Sequence, residues 1–217
     1  MKKPLPHLPS QFAMIDLETL AVHMNAAVLQ IGVAAWQFDG EGAEIEDSPF
    51  RVFNEYLPLQ PQIDLGRIIQ AGTIKFHIDL GFNCLVRSIT SDNGLVETLH
   101  TFAGFFDDLE DYAVVSRGAA FDFPIIESLM TLVGVKVPWK YNQVWDHRTV
   151  MNLLGDPGIA RPTHFVNHDG YWDARFQLRQ LIAIFEKMGG ESEDSPPIHG
   201  TTTAKLNLNP QRAFPLK

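Results

Sequence analysis

Hydrophobic positions along the chain fall into two rhythms. Short apolar runs come first: Phe12 to Leu17, then Ala26 to Phe38 with Val28, Leu29, Ile31, Val33 and Trp36, broken at Asp39-Gly40. These predict two paired strands, and Ser48 to Leu57 predicts a third. Apolar residues at helical spacing follow over Ile63 to Gln70 and over Leu95 to Leu109, where Leu95, Leu99, Phe102, Phe105, Phe106 and Leu109 form a stripe. Ala113 to Ser116 predicts a fourth strand, followed by a helix from Pro124 to Val133, a fifth strand at Asn142 to Trp145 and a last helix from Trp172 to Met188. Strands grouped first and then alternating with helices predict an α/β domain with a mixed rather than all-parallel sheet. The periodic pattern stops at Gly189-Gly190. Residues 1–188 therefore read as the domain and 189–217 as a mostly irregular tail, with Leu206, Leu208, Phe214 and Leu216 available to pin it.

Composition narrows the class. With 45% hydrophobic residues, including 15 Phe, 4 Trp and 4 Tyr in 217, the chain carries enough apolar surface for a sizeable core, which excludes disorder over most of its length. No uninterrupted apolar run approaches the roughly 20 residues that cross a bilayer. Pro4, Pro6 and Pro9 stand where a secretory signal needs an apolar helix, so a soluble, cytoplasmic protein is expected. Cys84 is the single cysteine, which excludes an internal disulfide and any paired-cysteine metal site. The net charge of -9 argues against nucleic acid as a partner unless some of the 26 acidic residues cluster around divalent cations and so reverse the local sign.

Three places in the chain offer such acids. In Met14-Ile15-Asp16-Leu17-Glu18-Thr19, strand periodicity puts Asp16 and Glu18 on one face at the end of an apolar strand. Two carboxylates side by side there either need a cation or sit on an exposed, solvated strand end. Asp122 follows the fourth predicted strand and precedes Pro124, where it serves equally well as a helix N-cap, and Glu127 reads as a solvated helix face. In His168-Asp169-Gly170-Tyr171-Trp172-Asp173, five helical residues turn through about 500°, so His168 and Asp173 converge only if His168 lies on a loop outside the helix. Gly170 permits that, with Asp173 in the first helical turn, where the macrodipole favours negative charge. Taken singly, His168 reads as a surface histidine and Asp173 as a helix stabiliser.

The ordered set resembles the DEDD exonucleases, in particular their histidine-containing DEDDh branch with a ribonuclease H-like fold. Asp16-Leu17-Glu18-Thr19 matches the first motif, Phe121-Asp122 the second, and His168 followed after four residues by Asp173-Ala174 the third. Asp146-His147-Arg148-Thr149 resembles the Asp-x-Arg-Thr that often follows the fifth strand, and the likeness covers roughly residues 11 to 185. Proofreading members usually carry Asn four residues before the second-motif Asp; this chain has Gly118, which together with Asp173-x-x-x-Gln177 is closer to ribonuclease T-like 3′ exonucleases.

The resemblance implies a ribonuclease H-like, mixed five-stranded sheet flanked by helices on both faces. It implies a metal-dependent 3′-to-5′ exonuclease acting on single-stranded DNA or RNA with a free 3′ end and releasing 5′-nucleoside monophosphates. Asp16, Glu18, Asp122 and Asp173 would ligate two ions, and oxygen-only donors select Mg²⁺ or Mn²⁺. His168 would be the general base, since histidine side chains titrate near neutral pH. Phe76, where ribonuclease T-like members carry aromatic residues, and Leu20 with Met24 as an apolar wedge are substrate candidates, with core packing as the alternative for all three. Lys75, Arg87, Arg117, Arg148, Arg161, Arg175 and Arg179 are candidate phosphate contacts, and a homodimer is expected by the same resemblance. The competing readings are a non-catalytic nucleic-acid or protein-binding module on this fold, and an unrelated domain whose five motif residues lie scattered in space.

Overall fold

The computed structural model describes residues 9–37, 51–81 and 83–190. The two apolar runs near the start form an antiparallel pair, β1 (Gln11–Thr19) and β2 (Val28–Gln37), with Asp16 opposite Gly32 and Glu18 opposite Gln30. β3 (Arg51–Tyr56) adds antiparallel to β2. β4 (Tyr112–Ser116) and β5 (Val144–Asp146) add parallel on the other side of β1. The resulting mixed five-stranded sheet has the order β3-β2-β1-β4-β5 and places β1 at its centre.

Central β1 is buried on both faces, and its alternation sorts the core into two layers. Ala13, Ile15 and Leu17 pack with Val33 and Val114 against Leu95, Leu99 and Phe102 of α4 (Leu95–Gly104) and Ile125, Ile126 and Leu129 of α5 (Ala119–Leu132). Phe12 and Met14 pack with Ala34, Trp36, Ala113 and Val115 under Ala174, Leu178, Leu181, Ile182 and Phe185 of α7 (Gly170–Gly190). Asp16 and Glu18 continue the second row. The apolar ridge beneath α7 therefore turns acidic where that helix begins.

Several helices depart from the pattern in the sequence. The helix expected over Ile63 to Gln70 is instead α1 (Leu59–Asp64), and the chain after it is irregular. Gly66 adopts φ 75°, and buried Arg67 bonds the Ala26 carbonyl at 2.9 Å, the Ser128 hydroxyl at 2.8 Å and the Ile125 carbonyl at 3.1 Å. Those long-range bonds outweigh local helical spacing. α2 (Ala71–Asp79), α3 (Asn83–Ile89) and α6 (His147–Leu154) were not signalled, because their apolar residues are split between core and solvent. α5 starts at Ala119 rather than Pro124: Gly118 caps it, and its carbonyl accepts from the Phe121 and Asp122 N–H groups at 2.6 and 3.0 Å. Asp122 is thus in the first helical turn and is not an N-cap. α7 continues to Gly190, and the rest of the expected tail, 191–217, lies outside the described residues.

The start of α7 lies directly on β2. A Cβ on Gly32 would stand 2.1 Å from the carbonyl carbon and oxygen of Gly170, and one on Gly170 would stand 3.0 Å from the Asp16 carbonyl. Only two glycines allow this approach. Gly32→Ala should cost about 1–3 kcal/mol in chemical denaturation by forcing helix and sheet apart, whereas Gly72→Ala in α2, with nothing within 4 Å of the new methyl, should hold or raise the midpoint, by up to about 1 kcal/mol.

Candidate active site

Five residues from three separate segments meet in one cleft of about 680 Å³. Asp16 and Glu18 come from the α7 side of β1, Asp122 from the first turn of α5, Asp173 from the first turn of α7, and His168 from the turn before it. Ligating atoms of Glu18, His168 and Asp173 all lie within 4.8 Å of one another. The requirement that His168 leave the helix is met by its backbone, which takes the left-handed conformation at φ 55°, while the Asp173 N–H bonds the Asp169 carbonyl at 2.9 Å.

Asp16 and Asp122 are each oriented by a neutral donor. Gln177 Nε2, one turn beyond Asp173, donates to Asp16 Oδ1 at 2.9 Å. The Ser116 hydroxyl at the end of β4 donates to Asp122 Oδ2 at 2.7 Å. Asp146, at the end of β5, accepts from the Ala119 N–H at 2.8 Å and from the Thr149 N–H and hydroxyl at 2.7 and 2.8 Å, so one carboxylate caps α6 and anchors the start of α5. Burial pushes the Asp146 carboxyl up, but these hydrogen bonds outweigh it and hold it below the usual range.

The four motif acids go the other way. Burial, then the charges of Asp122, Glu18 and Asp173, raise Asp16 well above the ordinary carboxylate range against the Gln177 bond. Burial followed by the charges of Asp173, Asp169 and Asp122 pushes Glu18 up to about 8. Burial raises Asp122 to about 6 despite the Ser116 bond, and burial likewise raises Asp173. Among the described residues no lysine or arginine forms an ion pair with any of the four. Clustered oxygen donors without a cationic partner fit hard divalent cations, which supply the missing charge.

Arg117, Arg148 and Arg161 line the same cleft. Lys75, Arg87, Arg175 and Arg179 do not: Lys75 pairs with Asp79 at 2.5 Å, Arg87 lies 4.9 Å over the Tyr56 ring and Arg175 5.3 Å over the Tyr171 ring. Phe76 is 41% exposed, and its ring meets the His168 imidazole edge to face at 4.8 Å. Met24 is exposed, whereas Leu20 is 1% exposed and packs with Ala27, Leu29 and Leu85. Leu20 is a core residue and offers no surface for a base, which corrects the expectation of a wedge. Motif reading did not single out Ser116, nor Gln30, whose only signal is a polar residue amid the apolar run of β2.

A family model described as the Rv2179c-like 3′-5′ exoribonuclease domain matches residues 11–185. The chain belongs to this family. It carries a 3′-to-5′ exonuclease domain on a ribonuclease H-like fold. No curated protein sequence matches the chain. Among solved structures it is similar to product-bound exonuclease I (12% identity, TM-score 0.56, covering 83% of this chain and 46% of that one). It is also similar to cell-death related nuclease 4, CRN-4 (17%, TM-score 0.53, 83% and 64%), and to S. pombe Pop2p in its Mg²⁺- and Mn²⁺-bound form (14%, TM-score 0.58, 85% and 86%). The chain spans less than half of exonuclease I and under two thirds of CRN-4. Among the described residues no helix is long and apolar enough to cross a membrane.

The raised carboxyls set a sign for metal-free stability. A group with folded pKa above its unfolded value contributes stability that is complete below the unfolded pKa and lost as pH rises through the folded one. For Glu18 that window runs from 4.5 to about 8. In chelator, the melting temperature should fall over this range. Glu18→Gln should flatten the fall, and Mn²⁺ should restore the wild-type melting temperature at pH 8. Melts that do not vary with pH or metal would contradict the assignment.

Proposed function

We propose that the chain removes 5′-nucleoside monophosphates stepwise from the free 3′ end of single-stranded RNA. The observation that carries this is the convergence of Asp16, Glu18, Asp122, Asp173 and His168 in one cleft whose acids form no ion pair with a lysine or arginine among the described residues. The family's description as an exoribonuclease domain favours RNA over DNA. Asp16, Glu18, Asp122 and Asp173 hold two Mg²⁺ or Mn²⁺ ions, as the donor chemistry allows and as the bound ions of Pop2p support. Bound there, two such ions would offset the charge of the scissile phosphate and acidify a water.

The remaining work falls to the chain's own groups. His168, exposed at the cleft mouth beside Glu18 and Asp173, takes the proton of the attacking water. Gln177 occupies one oxygen of Asp16 and fixes its carboxylate plane. Arg117, Arg148 and Arg161 contact the phosphodiester backbone, and Phe76 beside His168 offers a face on which a terminal base stacks without regard to its identity. The homodimer expected by resemblance is read by light scattering.

Matched 5′-labelled RNA and DNA strands with Mn²⁺, Mg²⁺ or EDTA test the reading. RNA should shorten stepwise from its 3′ end, and only with metal. Asp16→Asn should lower turnover by on the order of 10³-fold or more without changing the melting curve's cooperativity. His168→Ala should lower kcat by about 10²- to 10⁴-fold with little change in KM. Equal loss in binding would make His168 structural, and a folded, metal-loaded protein that cleaves neither strand would leave a binding module.

A further inference from the structure

The turn that carries His168 is held from behind by a buried polar chain that the motif does not include. His168 takes φ 55°, a backbone region that a side chain with a Cβ rarely keeps unless its surroundings impose it. Immediately after it, Asp169 caps α7, its Oδ1 accepting from the Tyr171 and Trp172 N–H groups at 3.1 and 3.3 Å. The other oxygen of Asp169 accepts from the Tyr56 hydroxyl at 3.2 Å. Tyr56 in turn accepts from Gln30 Nε2 at 3.1 Å, and the same amide donates to Asn54 Oδ1 at 2.8 Å.

Gln30 closes the loop. Its Oε1 accepts from the Gly170 N–H at 2.9 Å and from the Cys84 thiol at 3.3 Å, and that thiol also lies 3.7 Å from the His168 carbonyl. Gln30 is fully buried in an otherwise apolar stretch of β2 and stands opposite Glu18 in register. A buried amide is costly unless its donors and acceptor are met, and here they are met by groups at or leading to the His168 turn. Residues 168, 169 and 170 are thus each tied, directly or through one neighbour, to the edge of the sheet formed by β2 and β3. In front, the Phe76 ring closes on the imidazole at 4.8 Å.

We propose that Gln30 and Tyr56 are positioning residues for the general base: their hydrogen-bonded chain from β2 and β3 through Asp169 fixes the His168 turn and thereby the imidazole. Neither lines the cleft that holds the four acids and His168. The role rests on the exonuclease reading given above. Its consequence is that loss of the chain slows the chemical step chiefly through His168.

Tyr56→Phe removes one hydroxyl and keeps the ring, so it tests the role with the least damage to packing; Gln30→Leu, which strands several buried partners, serves as the second variant if it folds. In the wild-type background Tyr56→Phe should lower kcat about tenfold, with KM and the Mn²⁺ dissociation constant by calorimetry within about twofold of wild type. In the His168→Ala background, under single-turnover conditions with Mn²⁺, it should cause no further loss, because the group it positions is gone. A loss that is the same in both backgrounds, or a matching fall in Mn²⁺ affinity, overturns the positioning role while leaving the exonuclease intact. Wild-type protein without metal-dependent hydrolysis would instead sink the exonuclease reading, and this proposal with it.

Discussion

Four carboxyl groups sharing one cleft repel one another, and most of the architecture around them holds them there against that repulsion. Burial, with the neighbouring acids adding to it, pushes Glu18 up to about 8, and burial raises Asp122 to about 6, so that without added charge these groups hold their protons to higher pH than carboxyls in water. The supporting bonds come from neutral partners, Gln177 and Ser116, rather than from arginine or lysine. A guanidinium paired into the cluster would settle the acids and remove their demand for a cation. Arginines instead stand along the walls, at Arg117, Arg148 and Arg161, where a phosphate backbone would meet them.

Helix α7 joins stability to chemistry. Its apolar face, Ala174, Leu178, Leu181, Ile182 and Phe185, completes the core layer over Phe12, Met14, Ala34 and Trp36. The same helix brings Asp173 and Gln177 to Asp16 at its start. Because Gly32 and Gly170 touch through backbone alone, the first turn of α7 sits as low on the sheet as two chains can lie. Apolar packing along the helix therefore sets the position of a carboxylate at its end, and the two roles cannot be separated by sliding the helix.

Similarity to exonuclease I, CRN-4 and Pop2p lies in the fold, at 12 to 17% identity. In this chain the fold rests on an alternation: a central strand whose one face is apolar at Phe12 and Met14 and then acidic at Asp16 and Glu18, under a helix that starts at that point. The irregular 65–70 segment is held by the hydrogen bonds of buried Arg67 rather than by local periodicity.

The sequence by itself determined the strands, the last helix, and the five residues that the fold gathers into one cleft, because strand alternation and the helical turn are local: Asp16 and Glu18 must share a face, and His168 must leave the helix to approach Asp173. It left α2, α3 and α6 unmarked, since their faces divide between core and solvent. For Asp122 it left a helix cap open beside the ligand role and placed the start of α5 at Pro124, because Pro124 resembles a helix start while Gly118 is the residue that caps the helix. Only the tertiary structure decided that Leu20 is core, that Phe76 lies against His168, and that Gln30 and Tyr56 stand behind the His168 turn. Those relations join segments up to 140 residues apart, Gln30 with Gly170, and depend on a strand register and a helix height set by side-chain volume and backbone contact, which no local pattern encodes.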